Sequence, residues 1–398
     1  MGVTERKIFN NVFTNAISLG IFIIAQQIIL MPFVHKQYPD KFAMIILMIT
    51  VCNMLVGITA GALGNTMLVK TQAYLEKRLN GDYFLILSGL SIGSVFVWLI
   101  LFYSGAIIIS SAGEVAVFLV LYIFRAYFNS RVFLNKCYKV LLIQNALYFL
   151  GALLGMLIIK PEQPERLFLI AELTAAACYM KYYDLFGFIL SITEEFESTV
   201  KKYFNFSFVA AIDYFVNYAD RLLIYPLLGN YALGLLFALT TTSKCLFLLI
   251  APTKNVLSGM LAEVSDEKKK EVMKYLLKKM VQLFLPIYLL NVLSSAICLR
   301  VFYADYWQDG CRLVFVVALA LTFGVLNELS NVVCMRFIKE SHLSALGILK
   351  LASFIIFAWM LTEKFQLEGF FIAMLLIHFL VFVAYLFVVR LVLKSAPS

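Results

Sequence analysis

Charged side chains lie inside segments of this sequence that are otherwise apolar. Asp220 and Arg221 are adjacent in the stretch ADRLLIYPLLGNYA, and Arg125, Lys244 and Lys350 lie in three further apolar segments. A charge at the centre of a membrane costs about 2.5–3.5 kcal/mol on insertion scales, so such residues are paired or functional. Cations deep in three helices predict a basic cavity, and a basic cavity favours an anionic substrate. Pairing with buried acids is the alternative reading.

Amide and acidic residues also recur at helical spacing. Asn11 and Asn15 share one helix face, and Asp213, Asn217 and Asp220 share a face in a later segment. Polar side chains are unfavourable on a helix face that contacts lipid, so we expect these residues to face protein or water.

A further stripe, Asn53-Gly57-Gly61-Asn65, has four-residue spacing. Its G-x-x-x-G pattern is more typical of close helix packing than of a binding site. The sequence thus gives two sets of candidate site residues. The predicted substrate-binding residues are Arg125, Lys244, Lys350, Asn15 and Asn53. The predicted gating or ion-coupling residues are Asp213, Asn217, Asp220, Arg221 and Glu328.

The elements that must position these residues are membrane-spanning helices. Of the 398 residues, 62% are hydrophobic and 14% are charged, and the mean hydropathy is +0.90, which excludes an ordinary water-soluble protein. Apolar segments that cross a membrane should be helices, because an α-helix forms all of its backbone hydrogen bonds internally. The sequence predicts an all-α polytopic membrane protein with about twelve transmembrane helices. Their approximate ranges are 8–33, 42–66, 82–108, 113–134, 139–159, 166–190, 203–228, 231–256, 280–303, 311–337, 342–362 and 367–392.

Lysine and arginine are concentrated in alternate connecting segments, which predicts that both termini are cytoplasmic. The net charge of +9 mostly reflects this topogenic bias and does not imply a nucleic-acid partner. The lysine-rich run EKKKEVMKYLLKKM reads as a cytoplasmic helix on the membrane surface.

An internal repeat divides the chain into two halves. AQQIILMP at 25–32 aligns with ADRLLIYP at 219–226, and both segments end an odd-numbered span with proline. Two six-helix halves around a central cavity are a transporter architecture. The predicted division is an N-terminal bundle at 1–190, a cytoplasmic linker at 191–202 and a C-terminal bundle at 203–398. A chance match between apolar segments is the alternative.

The stretch YADRLLIYPLLGNYALGLLFALTTTSK resembles a segment of polysaccharide flippases in which an Asp-Arg pair closes span seven before a short glycine-containing turn. The matching positions are Asp220, Arg221, Gly229, Tyr231 and Gly234. The chain is identified as similar to Wzx-type flippases of the MOP exporter superfamily, which also includes MATE transporters and the lipid II flippase. It departs from the commonest pattern at Pro226 and Asn230, where small residues dominate in the family.

The resemblance implies transfer of undecaprenyl-diphosphate-linked oligosaccharide from the inner to the outer leaflet of a bacterial cytoplasmic membrane. The product would serve capsule, O-antigen, lipopolysaccharide or a related polysaccharide, and alternating access is the implied mechanism. Membrane lipid is an expected partner, and a polymerase and a chain-length regulator are candidate partners. Arginine suits the diphosphate through paired hydrogen bonds.

Two other function classes are alternatives to the flippase. A MATE-like cation or drug antiporter would need an acidic cavity, and a Wzy-type polymerase would need a long outer loop. We predict a transporter rather than an enzyme. No cofactor or metal site is expected, because the three histidines are far apart and no Walker motif occurs. If a proton or sodium ion is coupled, Asp213 and Glu328 are the candidate carriers.

Overall fold

The structure is a computed structural model and describes most of the chain. The described backbone covers residues 3–79, 81–158, 163–182, 184, 188–262, 269–337 and 340–395. Within helices, the description leaves out the side chains of residues 3–12, 216, 243–262, 269–274, 276, 277, 332–337, 340–345 and 391–395. The described residues are almost entirely helical, and no strand occurs among them.

The first part of the chain forms eight helices with two π-helical segments. In chain order they are α1 Val3–Ile23, the π segment Ile24–Leu30, α2 Met31–Gln37, α3 Pro39–Val56, the π segment Gly57–Gly61, α4 Ala62–Glu76, α5 Tyr83–Tyr103, α6 Ala112–Leu134, α7 Tyr138–Ile158 and α8 Glu165–Lys181. The continuous helical run from α3 to α4 corresponds to the predicted second span and is called span 2 below.

The rest of the chain contains further long helices, two of which are interrupted by a break. The elements are α9 Phe196–Ala262, α10 Lys269–Phe302, a 3-10 turn Ala304–Tyr306, α11 Trp307–Gly310, α12 Val314–Phe337, α13 Glu340–Ser353, the π segment Phe354–Ala358 and α14 Trp359–Ser395. α9 breaks at Gly229, where φ is +80°, and α14 breaks at Phe365 and Gln366. Glycine tolerates a positive φ without the Cβ clash of other residues.

The helices agree with the predicted polytopic all-α class. Nine helical stretches within the described residues are long and apolar enough to cross a membrane. The breaks in α9 and α14 fall between the predicted spans seven and eight and between spans eleven and twelve. α8 ends at Lys181, earlier than the predicted end at 190. The described part of the lysine-rich run, from Lys269, continues directly into α10 instead of forming a separate helix.

The chain divides into two compact units, Met1–Leu222 and Leu223–Ser398. The boundary lies later than the predicted start of the second bundle at 203, because the first part of α9 packs within the first unit. The partition into two six-helix bundles with a linker at 191–202 therefore stays a prediction.

Small residues set the close packing inside the first unit. A Cβ on Gly57 would lie 2.0 Å from the ring of Tyr214, so only glycine admits the α9 tyrosine at this point in span 2. A Cβ on Gly151 in α7 would lie 1.8 Å from the hydroxyl of Thr174 in α8. The packing role expected of the G-x-x-x-G pattern is thus confirmed at Gly57.

Candidate functional site

A buried ion pair lies at the centre of the first unit. Arg125 of α6 and Glu172 of α8 are 4% and 1% exposed, and Nη2 of Arg125 lies 2.8 Å from Oε1 of Glu172. The guanidinium also lies over the rings of Phe22, Tyr122 and Tyr148, at 4.4, 4.7 and 4.9 Å from their centroids. Aromatic faces attract a cation, and the attraction grows when water is excluded. Arg125, predicted as a substrate-binding cation, is therefore held by one acid and three rings.

The pair is not fully saturated by hydrogen bonds. Nε of Arg125 and both carboxylate oxygens of Glu172 have no hydrogen-bond partner among the described residues, so the 2.8 Å contact is an ion pair without hydrogen-bond geometry. Buried polar atoms are nearly always hydrogen-bonded to protein or water, so water would bind at these atoms, and a proton would bind only at a Glu172 oxygen.

A second group of polar residues joins span 2 to α9. Asn53 accepts a hydrogen bond from the Tyr122 hydroxyl at 2.7 Å and is also hydrogen-bonded to Tyr218. Tyr214, one turn before Tyr218, has its ring nearly parallel to that of Tyr218, with centroids 6.2 Å apart. All four side chains are partly exposed, so a polar and aromatic surface is accessible here.

The predicted polar stripe of span seven lies at the edge of this surface. Asp213 and Asn217 are exposed although they belong to the predicted span 203–228. Their i, i+4 spacing places them on one edge of α9, away from Phe208 and Phe215, which are also exposed. An exposed acid and amide inside a span require contact with water, because the hydrocarbon of lipid cannot solvate them.

The adjacent acid and base of α9 are both buried. Nη1 of Arg221 donates to the hydroxyl of Thr50 in span 2 at 3.1 Å, and its backbone N–H donates to the Asp220 carboxylate at 2.9 Å. The guanidinium also lies 5.6 Å from the centroid of Tyr218. Arg221 thus attaches the end of span seven to span 2, and its predicted gating role stays a prediction.

The other predicted residues have less defined surroundings. Asn15 of α1 is partly exposed. In the second unit, Glu328 of α12 and Lys350 of α13 are partly exposed. Lys244 lies on the described backbone of α9, but its side chain is outside the described residues. The structure brings Asn53 into the cluster around Arg125 through Tyr122.

Several residues of the cluster are not among the predicted site residues. Glu172 reads as one of several intramembrane charges, and its pairing with Arg125 is a tertiary contact that sequence spacing does not reveal. The tyrosines have a local signal: Tyr214 and Tyr218 accompany Asp213 and Asn217 at the same four-residue interval. No group of three or more metal-ligating side chains occurs among the residues whose side chains are described.

Part of the chain resembles a known protein family in sequence. The model of a family described as "Polysaccharide biosynthesis protein" matches residues 178–312. No curated protein sequence matches the chain.

Solved structures match nearly the whole chain. A MATE transporter of Vibrio cholerae has a TM-score of 0.65 at 12% identity, covering 98% of this chain and 97% of that one. A MOP-superfamily transporter from Pyrococcus furiosus, described as having a binding pocket of reverse polarity, has a TM-score of 0.65 at 13% identity, with coverage of 98% and 96%. The lipid II flippase MurJ, in an inward closed conformation, has a TM-score of 0.60 at 14% identity, with coverage of 97% and 87%.

At these identities the likeness shows the fold. The chain has the fold of the MOP superfamily, to which MATE transporters belong, as the predicted resemblance implies. It is a multi-pass membrane protein of this transporter fold.

Proposed function

We propose that this protein moves undecaprenyl-diphosphate-linked oligosaccharide from the inner to the outer leaflet of a bacterial cytoplasmic membrane by alternating access. The observation that carries the proposal is the accessible polar edge of α9, where Asp213 and Asn217 are exposed within a predicted span. The match to a polysaccharide biosynthesis family and the fold shared with a lipid II flippase support it.

The chemistry of this surface suits a glycan. Tyrosine and asparagine side chains both donate and accept hydrogen bonds, as sugar hydroxyls require. Tyr214, Tyr218 and Asn53 present such groups beside Asn217, and the tyrosine rings offer flat apolar faces. A hydrated headgroup would follow this surface while the lipid tail stays in the bilayer.

The diphosphate requires cations. Lys350, which is partly exposed, and Lys244 are the proposed diphosphate partners. Arg125 is already paired with Glu172, so we assign it the role of positioning Tyr122 and hence Asn53. Arg221 and Asp220 would hold the outer end of span seven during gating.

Ion coupling and cellular context complete the proposal. Asp213 and Glu328 are the proposed carriers if a proton or sodium ion drives transport. Both termini would be cytoplasmic, and the product would feed a capsule, O-antigen or related pathway together with a polymerase and a chain-length regulator. The protein would act as a transporter and catalyse no covalent step.

Deletion of the gene in its host tests the substrate directly. We expect the undecaprenyl-diphosphate-linked glycan to accumulate on the cytoplasmic side and surface polysaccharide to disappear, with recovery on complementation. A MATE-like antiporter, favoured by the exposed Asp213, predicts normal polysaccharide and an altered efflux of organic cations. That result would overturn the proposal.

Complementation with Asn217→Leu tests the polar edge. One lost hydrogen bond to substrate is worth about 1 kcal/mol, so export should fall roughly five- to tenfold at equal protein abundance. Phe208→Leu, an exposed position on the other side of the same helix, is the matched control and should export normally. Equal export by both variants would remove the α9 edge from the substrate path.

A further inference from the structure

The segment between α8 and α9 is tied to the rest of the first unit through Asp82. This carboxylate is fully buried and precedes α5. It accepts hydrogen bonds from the Tyr74 hydroxyl at 2.6 Å, from the backbone N–H of Thr193 at 2.8 Å and from the hydroxyl of Thr193. Charge-assisted hydrogen bonds of this kind are about twice as strong as neutral ones.

The backbone at Asp82 is shaped to receive the segment. Gly81 and Asp82 have φ values of +135° and +62°, and the N–H of Asp82 donates to the carbonyl of Ser191 at 2.9 Å. A Cβ on Gly81 would lie 1.8 Å from the hydroxyl of Ser191. Only glycine permits both the positive φ and this close approach.

A second attachment lies at Glu195. Its carboxylate contacts Nζ of Lys70 at 2.8 Å and Nζ of Lys77 at 2.5 Å, and it accepts a hydrogen bond from the Ser198 hydroxyl at 2.6 Å. The hydrogen bonds from Lys70, then Lys77 and Ser198, lower the pKa of Glu195 to about 2. Glu194 lies 3.3 Å from the same Lys77.

The attachment continues into α9. The buried hydroxyl of Thr199 is hydrogen-bonded to that of Tyr74 at 2.9 Å, so one tyrosine joins Asp82 to the first turn of the helix. Further along, the Tyr203 hydroxyl donates to the carbonyl of Ile58 in the span 2 π segment at 3.2 Å.

We propose that residues 191–199 form a strap that fixes the start of α9 to span 2 and α5, and that this strap is a permanent structural part of the first unit instead of a flexible tether. Asp82 is its anchor, and the Glu195 contacts with Lys70 and Lys77 are a clamp at its surface. Release of the strap would leave the Asp82 carboxylate without the Thr193 donors, and a buried charge that loses its donors is costly. On the transport function proposed above, the strap stays docked throughout the cycle, and the start of α9 moves with span 2.

Proteolysis of the purified full-length protein in detergent tests the strap. A glutamyl endopeptidase has targets at Glu194, Glu195 and Glu197 within it. When opening is fast, cleavage follows the population of the open segment. We expect the wild type to be cut in the strap far more slowly than the heat-unfolded protein, with cut sites mapped by mass spectrometry.

Two matched glutamate variants isolate the clamp. Glu195→Gln should speed strap cleavage about twofold at low salt and should match the wild type at 1 M NaCl, because salt screens accessible charges. Glu197→Gln removes the same charge and one cleavage site at an exposed position two residues away, and should cleave like the wild type.

Two further variants isolate the anchor without leaving an unpaired buried charge. Thr193→Val and Tyr74→Phe each remove one donor to Asp82 and should speed cleavage about tenfold at every salt concentration. Wild-type cleavage at the rate of the unfolded chain would overturn the proposal. It would also fail if Thr193→Val cleaves like the wild type, or if Glu195→Gln and Glu197→Gln behave alike at low salt.

Discussion

Two carboxylate–cation contacts of the first unit have the same length and opposite surroundings. Glu172 meets Arg125 at 2.8 Å with side chains 1% and 4% exposed, whereas Glu195 meets Lys70 at 2.8 Å with side chains 14% and 18% exposed. In the first case three aromatic rings surround the cation. In the second, another lysine and a serine hydroxyl share the acid.

The comparison shows that burial, and not distance, decides what a charge pair does. Each member of a buried pair has lost its hydration and depends wholly on its partner, so removal of one side leaves an uncompensated charge. Members of an accessible pair retain water and are screened by salt, so removal of one side changes little. Loss of one partner should therefore strongly destabilise the core at the buried pair, whereas it should only slightly weaken the attachment of the strap at the surface contact.

Glu172→Gln should have the largest effect in this comparison. The substitution leaves Arg125 buried without its acid, and such a change costs about 3–5 kcal/mol. We expect a lower melting temperature in detergent and reduced membrane abundance.

A double variant serves as the control for that result. Arg125→Met combined with Glu172→Gln removes both charges and should recover most of the lost stability, since the rings around position 125 accept an apolar chain. If the double variant is as unstable as the sum of the single variants, the two residues do not act as a pair.

Arg125→Lys should have an intermediate effect. The charge is kept, but the planar guanidinium that faces Phe22, Tyr122 and Tyr148 is lost. An ammonium is more strongly hydrated and cannot stack, so we expect a loss of about 1–2 kcal/mol. Thermal unfolding of the Arg125→Lys and Arg125→Met proteins, measured together, gives this loss of stability. Arg125→Lys as unstable as Arg125→Met would mean that charge contributes nothing at this site.

The pH dependence of the clamp should be the smallest effect. The pKa of Glu195 is lowered to about 2 by Lys70, Lys77 and Ser198, against an ordinary value near 4.5. The stabilisation is therefore complete above about pH 5 and is lost as the pH falls from 4.5 towards 2. The difference in melting temperature between wild type and Glu195→Gln should persist at pH 5 and shrink at pH 3. A difference that grows on acidification would contradict this linkage.

The sequence predicts those features that depend on local composition. The all-α polytopic class, the break near Gly229 and the packing role of Gly57 follow from hydropathy and spacing, and the structure has all three. Arg125 is recognisable as a buried charge because its apolar neighbours are adjacent in the chain. Its partner Glu172 lies two helices further on, and no periodicity identifies which acid faces which base.

The segment between α8 and α9 also makes tertiary contacts that its composition does not predict. The predicted linker at 191–202 overlaps α9, which begins at Phe196, and its polar composition does not reveal that Thr193 and Glu195 are bound. The bonds depend on Asp82, on Lys70 of α4 and on Lys77 directly after α4, which are brought near only by the fold. Gly81 beside Asp82 is the local signal, since a Gly-Asp pair favours a turn.

The π segment Gly57–Gly61 gives span 2 an extra residue within one turn. An α-helix rotates by about 100° per residue, so this residue offsets the angular register of α4 relative to α3. Deleting it would restore a regular helix and turn Lys70 and Tyr74 by about 100° away from the strap, while Thr50 and Asn53 would keep their places. The length of span 2, to the single residue, is thus a constraint on how this chain can evolve, because an insertion or deletion between Asn53 and Lys70 would rotate one end of the helix relative to the other.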